Sequence, residues 1–104
     1  MAPAEIVVIW RYEVKPARED AFRELYGPDG EWARLFATDP AYLGTELLKD
    51  SGDGHTYLTL DRWRDRAAYE AFLARREAEY AALDAQGMAL TASEERIGIF
   101  VALS

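Results

Sequence analysis

The chain has 104 residues, half of them apolar, with three Trp, six Tyr and four Phe. That is too hydrophobic for a disordered segment and long enough for one domain, spanning 1–104, with its own core. A net charge of −7, from 19 acidic against 12 basic residues, repels a phosphate backbone, and the absence of cysteine excludes disulfides, thiolate catalysis and Cys-ligated metals.

No apolar run approaches the ~20 residues that span a bilayer. The opening "MAPAEIVVIW" has neither a basic n-region nor a cleavage site, so no signal peptide is expected. Without cysteine, a reducing cytoplasm is the expected location. The one local basic cluster, "DRWRDR" (61–66), interleaves two Asp with three Arg. Neither nucleic acid nor a membrane surface is an expected partner.

In chain order, "EIVVIWRYEV" (5–14) is rich in β-branched and aromatic residues and predicts a strand stopped by Pro16. "AREDAFRELYG" places Ala21, Phe22, Leu25 and Tyr26 at helical spacing. Its acids Glu19 and Asp20 fall in the first turn, where the helix dipole favours them, and Gly27-Pro28 ends it. "GEWARLFAT" predicts a second short helix with Trp32, Leu35 and Phe36 on one side. "TELLKD" and "HTYLTLDRW" predict two strands flanking "SGDG", where Asp53-Gly54 suits a hairpin turn.

Asp65 is the expected N-cap of a long helix from 66 to about 84, rich in good helix formers. After Gly87 and an irregular stretch, "ERIGIFVAL" predicts the last strand. The order β-α-(α)-β-β-α-β, with right-handed crossovers, predicts an α+β, ferredoxin-like fold: an antiparallel four-stranded sheet with its helices on one face. The other face should then alternate polar with apolar. Instead, Ile6 to Trp10 are apolar on both faces, as are Ile97, Ile99, Phe100 and Val101. A second copy packed face to face, giving a homodimer, is the economical cover.

The strand-to-helix passages "YEVKPAREDAF" and "YLTLDRWRDRAAYEAF", in that element order, resemble the antibiotic biosynthesis monooxygenase superfamily of small dimeric α+β barrels. "YGPDGEWARLF" is similar to a subgroup of uncharacterised bacterial members. The resemblance covers nearly the whole chain and implies a dimeric α+β barrel. It brings in cofactor-independent monooxygenases of polyketide-derived phenols, quinol oxidases, haem-degrading enzymes and members without known activity. Haem-degrading members carry an Asn on the first strand, a Trp on the long helix and an iron-ligating His near that helix's end. The matching positions here are Trp10, Phe72 and about Ala82, and the chain has no Asn at all. Haem chemistry is therefore the poorest of these readings. Asn is also prominent in the polyketide-oxidising members, so oxygenation here would need other groups.

Cofactor-free oxygenation requires a dry aromatic pocket, a proton acceptor and donors for the developing anion. Trp10 and Tyr12 share a strand face and serve either as pocket wall or as core. Trp63 shares a face with Asp61, Thr59 and Tyr57; it lines a pocket or, as a strand-end residue beside a helix cap, plugs the core. On the long helix the stripe Tyr69, Phe72, Leu73, Tyr80, Leu83 has Arg76 at an apolar place. Arg76 either holds an oxyanion or snorkels, paired with an acid such as Asp61 or Glu46. Arg75 and Glu79 are a solvated i,i+4 pair.

His55, the only histidine, is a candidate base beside the turn, where a surface position is ordinary; Asp61 is the alternative base if buried. One His gives a metal little to bind, and "SGDG" opens no helix, so no metal, phosphate-bearing or other cofactor is expected. The sequence thus predicts a cofactor-independent monooxygenase of a phenolic, quinol or polyketide-like aromatic substrate. The substrate-binding set is Trp10, Tyr12, Tyr57, Trp63, Phe72 and Arg76, with His55 or Asp61 as base. The rival is a non-catalytic small-molecule-binding or stress-associated dimer.

Overall fold

The computed structural model describes residues 4–52 and 54–103. Its elements are β1 (Ile6–Val14), α1 (Glu19–Tyr26), α2 (Glu31–Phe36), β2 (Tyr42–Lys49), β3 (Thr56–Trp63), α3 (Arg66–Arg75), α4 (Glu77–Met88) and β4 (Thr91–Val101). The strands form one antiparallel sheet in the order β2-β3-β1-β4. This is the ferredoxin-like α+β arrangement.

One sheet face carries the core. Ile6, Val8, Tyr12 and Val14 of β1 alternate into it, and Tyr57, Thr59 and Trp63 of β3 lie across from Tyr12, Trp10 and Ile6. On the helix side Phe22, Leu25 and Tyr26 of α1, Trp32 and Phe36 of α2, and Tyr69 and Phe72 of α3 close over them. Gly30 makes the tight join between α1 and α2. A Cβ there would stand 2.7 Å from the carbonyl oxygens of Glu24 and Leu25, so only glycine lets α2 start so close to the end of α1.

The other sheet face is uncovered within the protomer. Strand pairing puts Val7 and Ile9 with Leu58 and Leu60 on that side, and Leu48 and Phe100 flank them and are exposed.

Four sequence expectations are corrected. The helix from 66 to about 84 is two helices, bent at Arg76, whose φ of −114° and ψ of 29° leave the helical region. The bend keeps its neighbouring hydrogen bonds, Arg76 N–H to Phe72 O and Tyr80 N–H to Arg76 O at 2.9 Å each, so no Pro or Gly is needed to make it. It lets α4 run on to Met88 and brings Tyr80 edge-on to Trp32, centroids 4.7 Å apart. Arg75, expected to pair with Glu79, pairs instead with Asp39, and Arg76 takes Glu79 at 2.9 Å.

Strand β4 starts at Thr91, inside the stretch expected to be irregular. Its register against β1 slips twice, skipping Ile97 and Ala92, which breaks the period-two signal. Strand β2 starts at Tyr42, ahead of the expected Thr45, and slips past Leu43 at Gly44, whose φ is +141°. Of the expected Asp53-Gly54 turn, Gly54 has φ +75°, and Asp53 lies outside the described residues.

Candidate functional site

A narrow cavity lies between the sheet and the helix layer, and every element of the chain contributes to its wall. Period two along β1 sends Trp10 and Tyr12 into it together, with rings 6.3 Å apart and 20° from parallel. Thr59 pairs with Trp10 across β1–β3, and Asp61 follows two residues later on the same face. On α2, Trp32 and Phe36 stand one turn apart; on α4, Tyr80 and Asp84 do the same. Tyr26, Thr45, Tyr69 and Glu94 complete the wall.

The slot between these walls is thin: ≈ 30 Å³ of it accepts the centre of a water, where one water needs about 10–15 Å³. That is room for about two waters, far below the roughly 300–1,000 Å³ of typical ligand sites, so a larger occupant has to part the walls. Gly87 helps to shape the slot: a Cβ at that point of α4 would stand 2.0 Å from the Tyr26 hydroxyl, so its absence lets Tyr26 reach under the helix.

Asp61 is the wall's distinctive acid. Burial pushes its carboxyl up to about 6, against an ordinary 3.8, while a hydrogen bond from Thr45 opposes the rise. Thr45 Oγ1 donates to Asp61 Oδ1 at 2.6 Å and lies 2.5 Å from the Tyr42 hydroxyl. A threonine hydroxyl has one proton; once it is given to Asp61, the Tyr42 O–H must donate to Thr45. The order Tyr42 to Thr45 to Asp61 is thereby set when Asp61 is ionised.

The phenols behave in the opposite sense. Burial drives Tyr12, Tyr26 and Tyr80 far above the ordinary value of 10, with nearby Asp and Glu carboxylates adding to the rise. They remain protonated donors at any physiological pH. Trp32 is nine-tenths buried, and its indole N–H has no hydrogen-bond partner of normal geometry. A weak hydrogen bond from it to the Tyr26 hydroxyl opposes the rise of that phenol's pKa.

Of the residues singled out from the sequence, Trp10, Tyr12 and Asp61 meet at this cavity. The remaining ones lie elsewhere. Trp63 is fully buried among four rings, those of Phe36, Tyr42, Tyr69 and Phe72, at 5.1–5.5 Å. Phe72, equally buried, also packs on Phe36 at 5.6 Å. Both are packing centres. Tyr57 is enclosed near the far end of the sheet, where its hydroxyl accepts from Arg23 Nη2 at 3.3 Å and Lys49 Nζ lies 5.8 Å from its ring.

Arg76 does not face inward. The bend turns it out to the Glu79 pair, with its side chain 40% exposed. His55 is a surface residue, 62% exposed, with Nδ1 3.6 Å from Glu19.

Sequence reasoning missed Tyr26, Trp32, Tyr80, Asp84 and Glu94 as cavity residues. The helical spacing of Tyr26, Trp32 and Tyr80 announced buried stripes but not a gap within them. The Tyr80–Asp84 pair at i,i+4 was the one available signal, an acid continuing an aromatic face. Glu94 faces Tyr12 only through the slipped register of β4.

A wider groove bordered by α1, α2 and the end of α4 is lined by mixed charges and has no aromatic wall. Among the described residues no cluster of potential metal ligands forms, and no helix is long and apolar enough to cross a membrane.

Among solved structures, the fold is similar to SnoaB, a cofactor-independent oxygenase from Streptomyces nogalater. The TM-score is 0.79 at 23% identity, over 97% of this chain and 95% of that one. A protein from Pseudomonas aeruginosa aligns over 100% and 99% of the two chains at TM-score 0.65 and 19% identity. One from Methanosarcina mazei aligns over 95% and 91% at TM-score 0.68 and 14% identity. At these identities the likeness concerns the fold. No curated protein matches the sequence. The family model of the antibiotic biosynthesis monooxygenases matches residues 5–82, three quarters of the chain and nearly all of the cavity wall. By that match the chain belongs to the antibiotic biosynthesis monooxygenase family.

Proposed function

We propose that the protein is a cofactor-independent monooxygenase of a flat phenolic, quinol or polyketide-like aromatic substrate, with Asp61 as its base. The observation that carries this reading is a carboxyl of pKa about 6 in the wall of an aromatic slot. Near neutral pH such a group is mostly ionised, yet basic enough to take a phenol-type proton in a dry site. The buried tyrosine hydroxyls are donors for the oxygen that becomes negative.

The reaction balances without a cofactor. For an anthrone-type substrate, Asp61 takes the acidic proton and leaves an electron-rich anion. That anion reduces O₂ and recombines with it as a carbon-bound peroxide. Loss of the second hydrogen with O–O cleavage gives C=O and water, so one oxygen atom enters the product and the other leaves as water.

The test is oxygen uptake by metal-stripped protein over a panel of anthrones, naphthols and hydroquinones. Saturable uptake is expected, rising with pH as Asp61 deprotonates through about 6. Asp61→Asn should lower it about 100-fold or more, the usual weight of a general base. Trp10→Ala should weaken it through the slot wall, whereas Arg76→Ala, outside the cavity, should leave it unchanged.

The thin cavity and the lack of any Asn favour a second reading, a binding protein that uses the same slot without turnover. Ligand binding without uptake above buffer, across the whole panel, would select it.

We also infer a homodimer through the uncovered sheet face. It is supported by Val7, Ile9, Leu58 and Leu60 on that face and by exposed Leu48 and Phe100 beside them.

A further inference from the structure

The cavity wall is chemically one-sided. Three carboxylates, Asp61, Asp84 and Glu94, line it, and no Lys or Arg does. Asp61 is hydrogen-bonded by Thr45. Asp84 and Glu94 come from different elements, α4 and β4, and neither has an ion-pair partner among the described residues. They are close enough that Asp84 disfavours the charge on Glu94, and both disfavour ionisation of Tyr26 and Tyr80. Two uncompensated acids thus converge on one end of the slot.

That end is also where aromatic rings gather. Trp32 meets Tyr80 edge-on at 4.7 Å and Tyr26 at 6.1 Å, and all three line the cavity. Ring faces beside carboxylates attract a cation through the ring quadrupole and through charge together. Of these rings Trp32 is nine-tenths buried, and its indole N–H lies against the Tyr26 hydroxyl. The guanidinium of Arg96 favours the charged form of Tyr69, but Arg96 is outside the wall.

We propose that the occupant of this cavity is a hydroxylated aromatic carrying a protonated amine, its ammonium held between Asp84 and Glu94 against the Trp32–Tyr80–Tyr26 rings. This rests on the reading of the cavity as the substrate site, and it adds a charge requirement to that reading. Aromatic acids are excluded by the same carboxylates, and uncharged phenols bind less tightly than their amine-bearing counterparts.

Three probes of one shape test it by calorimetric titration at neutral pH and low salt: 6-hydroxynaphthalenes bearing at position 2 an aminomethyl, a hydroxymethyl or a carboxylate group. The aminomethyl probe is expected to bind about five- to tenfold more tightly than the hydroxymethyl probe, with the carboxylate weakest. In the Asp84→Asn/Glu94→Gln double variant, and in about 0.5 M salt, the first two should converge to within about twofold. An unchanged near-ultraviolet circular dichroism spectrum of the double variant shows that its aromatic cavity wall is intact. Equal binding of all three probes, or a preference for the carboxylate, overturns the charge requirement and leaves the cavity as a ligand site. No binding of any probe overturns both, because a slot that admits none of them is not the substrate site.

Discussion

Asp61 illustrates how a buried acid costs the fold that holds it. Its folded-state pKa of about 6 lies above its ordinary 3.8, so between those values the folded protein binds a proton that the unfolded chain has released. Stability therefore falls as pH rises through that window, then stays lower by about 2–3 kcal/mol. Asp61→Asn removes the charge and keeps an oxygen to accept from Thr45. The variant should be more stable than the parent by about 1–3 kcal/mol at neutral pH, and the gain should vanish towards pH 4. Denaturant titrations at the two pH values check this. A stability gain at neutral pH together with lost oxygen uptake would identify the residue as kept for chemistry rather than packing.

Gly87 is the complementary case, in which the absence of atoms matters. Gly87→Ala would put a methyl 2.0 Å from the Tyr26 hydroxyl, so Tyr26 must move into the slot or α4 must lift. A loss of about 1–3 kcal/mol is expected from overpacking. Ligand affinity should fall further than stability alone explains, because the displaced ring occupies the site.

At the scale of elements, what the sequence displayed and what it concealed follow from where the signal resides. Strands β1 and β3 carry dense β-branched and aromatic runs, and Asp65 does cap α3, accepting from Ala68 N–H at 2.8 Å. Those signals are local. The bend at Arg76 is not local: residues 66–88 contain no breaker before Gly87, and the helix turns because α4 finds Trp32 and the sheet edge. For that reason Arg76, read as a charge in an apolar stripe, emerges at the surface, while the stripe's apolar members Tyr69, Phe72, Leu73, Tyr80 and Leu83 all pack on the core.

The start of β4 was concealed for a related reason. "TASE" looks like a loop because an edge strand carries polar residues and slips register, and only its hydrogen bonds to β1 reveal it. The cavity inherits both losses. Its β1 and β3 residues could be read from period two, whereas Tyr80, Asp84 and Glu94 depend on the bend and the slip. The opposite error befell Trp63 and Phe72: an aromatic on the right face of an element need not meet a gap, and these two fill the densest part of the core.

For the molecule as a whole, the two sheet faces pose one problem with one half solved. The helices bury the first face, and the second leaves Val7, Ile9, Leu58 and Leu60 under no helix at all, bordered by Leu48 and Phe100 at 43% and 48% exposure. A net charge of −7 keeps copies apart at long range, yet it does not offset a contiguous apolar patch at contact. The same face carries Arg11 and Arg62 alongside Glu46, and Arg62 reaches Glu46 at 2.6 Å, so polar residues frame the patch rather than interrupt it. Such a frame around an apolar centre is the pattern of a protein interface. Ile9 pairs with Leu60 in the patch and contributes nothing to the cavity wall on the opposite face. Ile9→Lys should therefore shift the molecule from dimer to monomer at micromolar concentration by light scattering. The cavity should still bind its ligand in the separated protomer, because its wall lies on the helix side of the sheet, opposite the patch. A parent protein that is already monomeric under those conditions would sink the dimer. If the variant lost ligand binding along with assembly, the slot would be shown to depend on the partner for its shape.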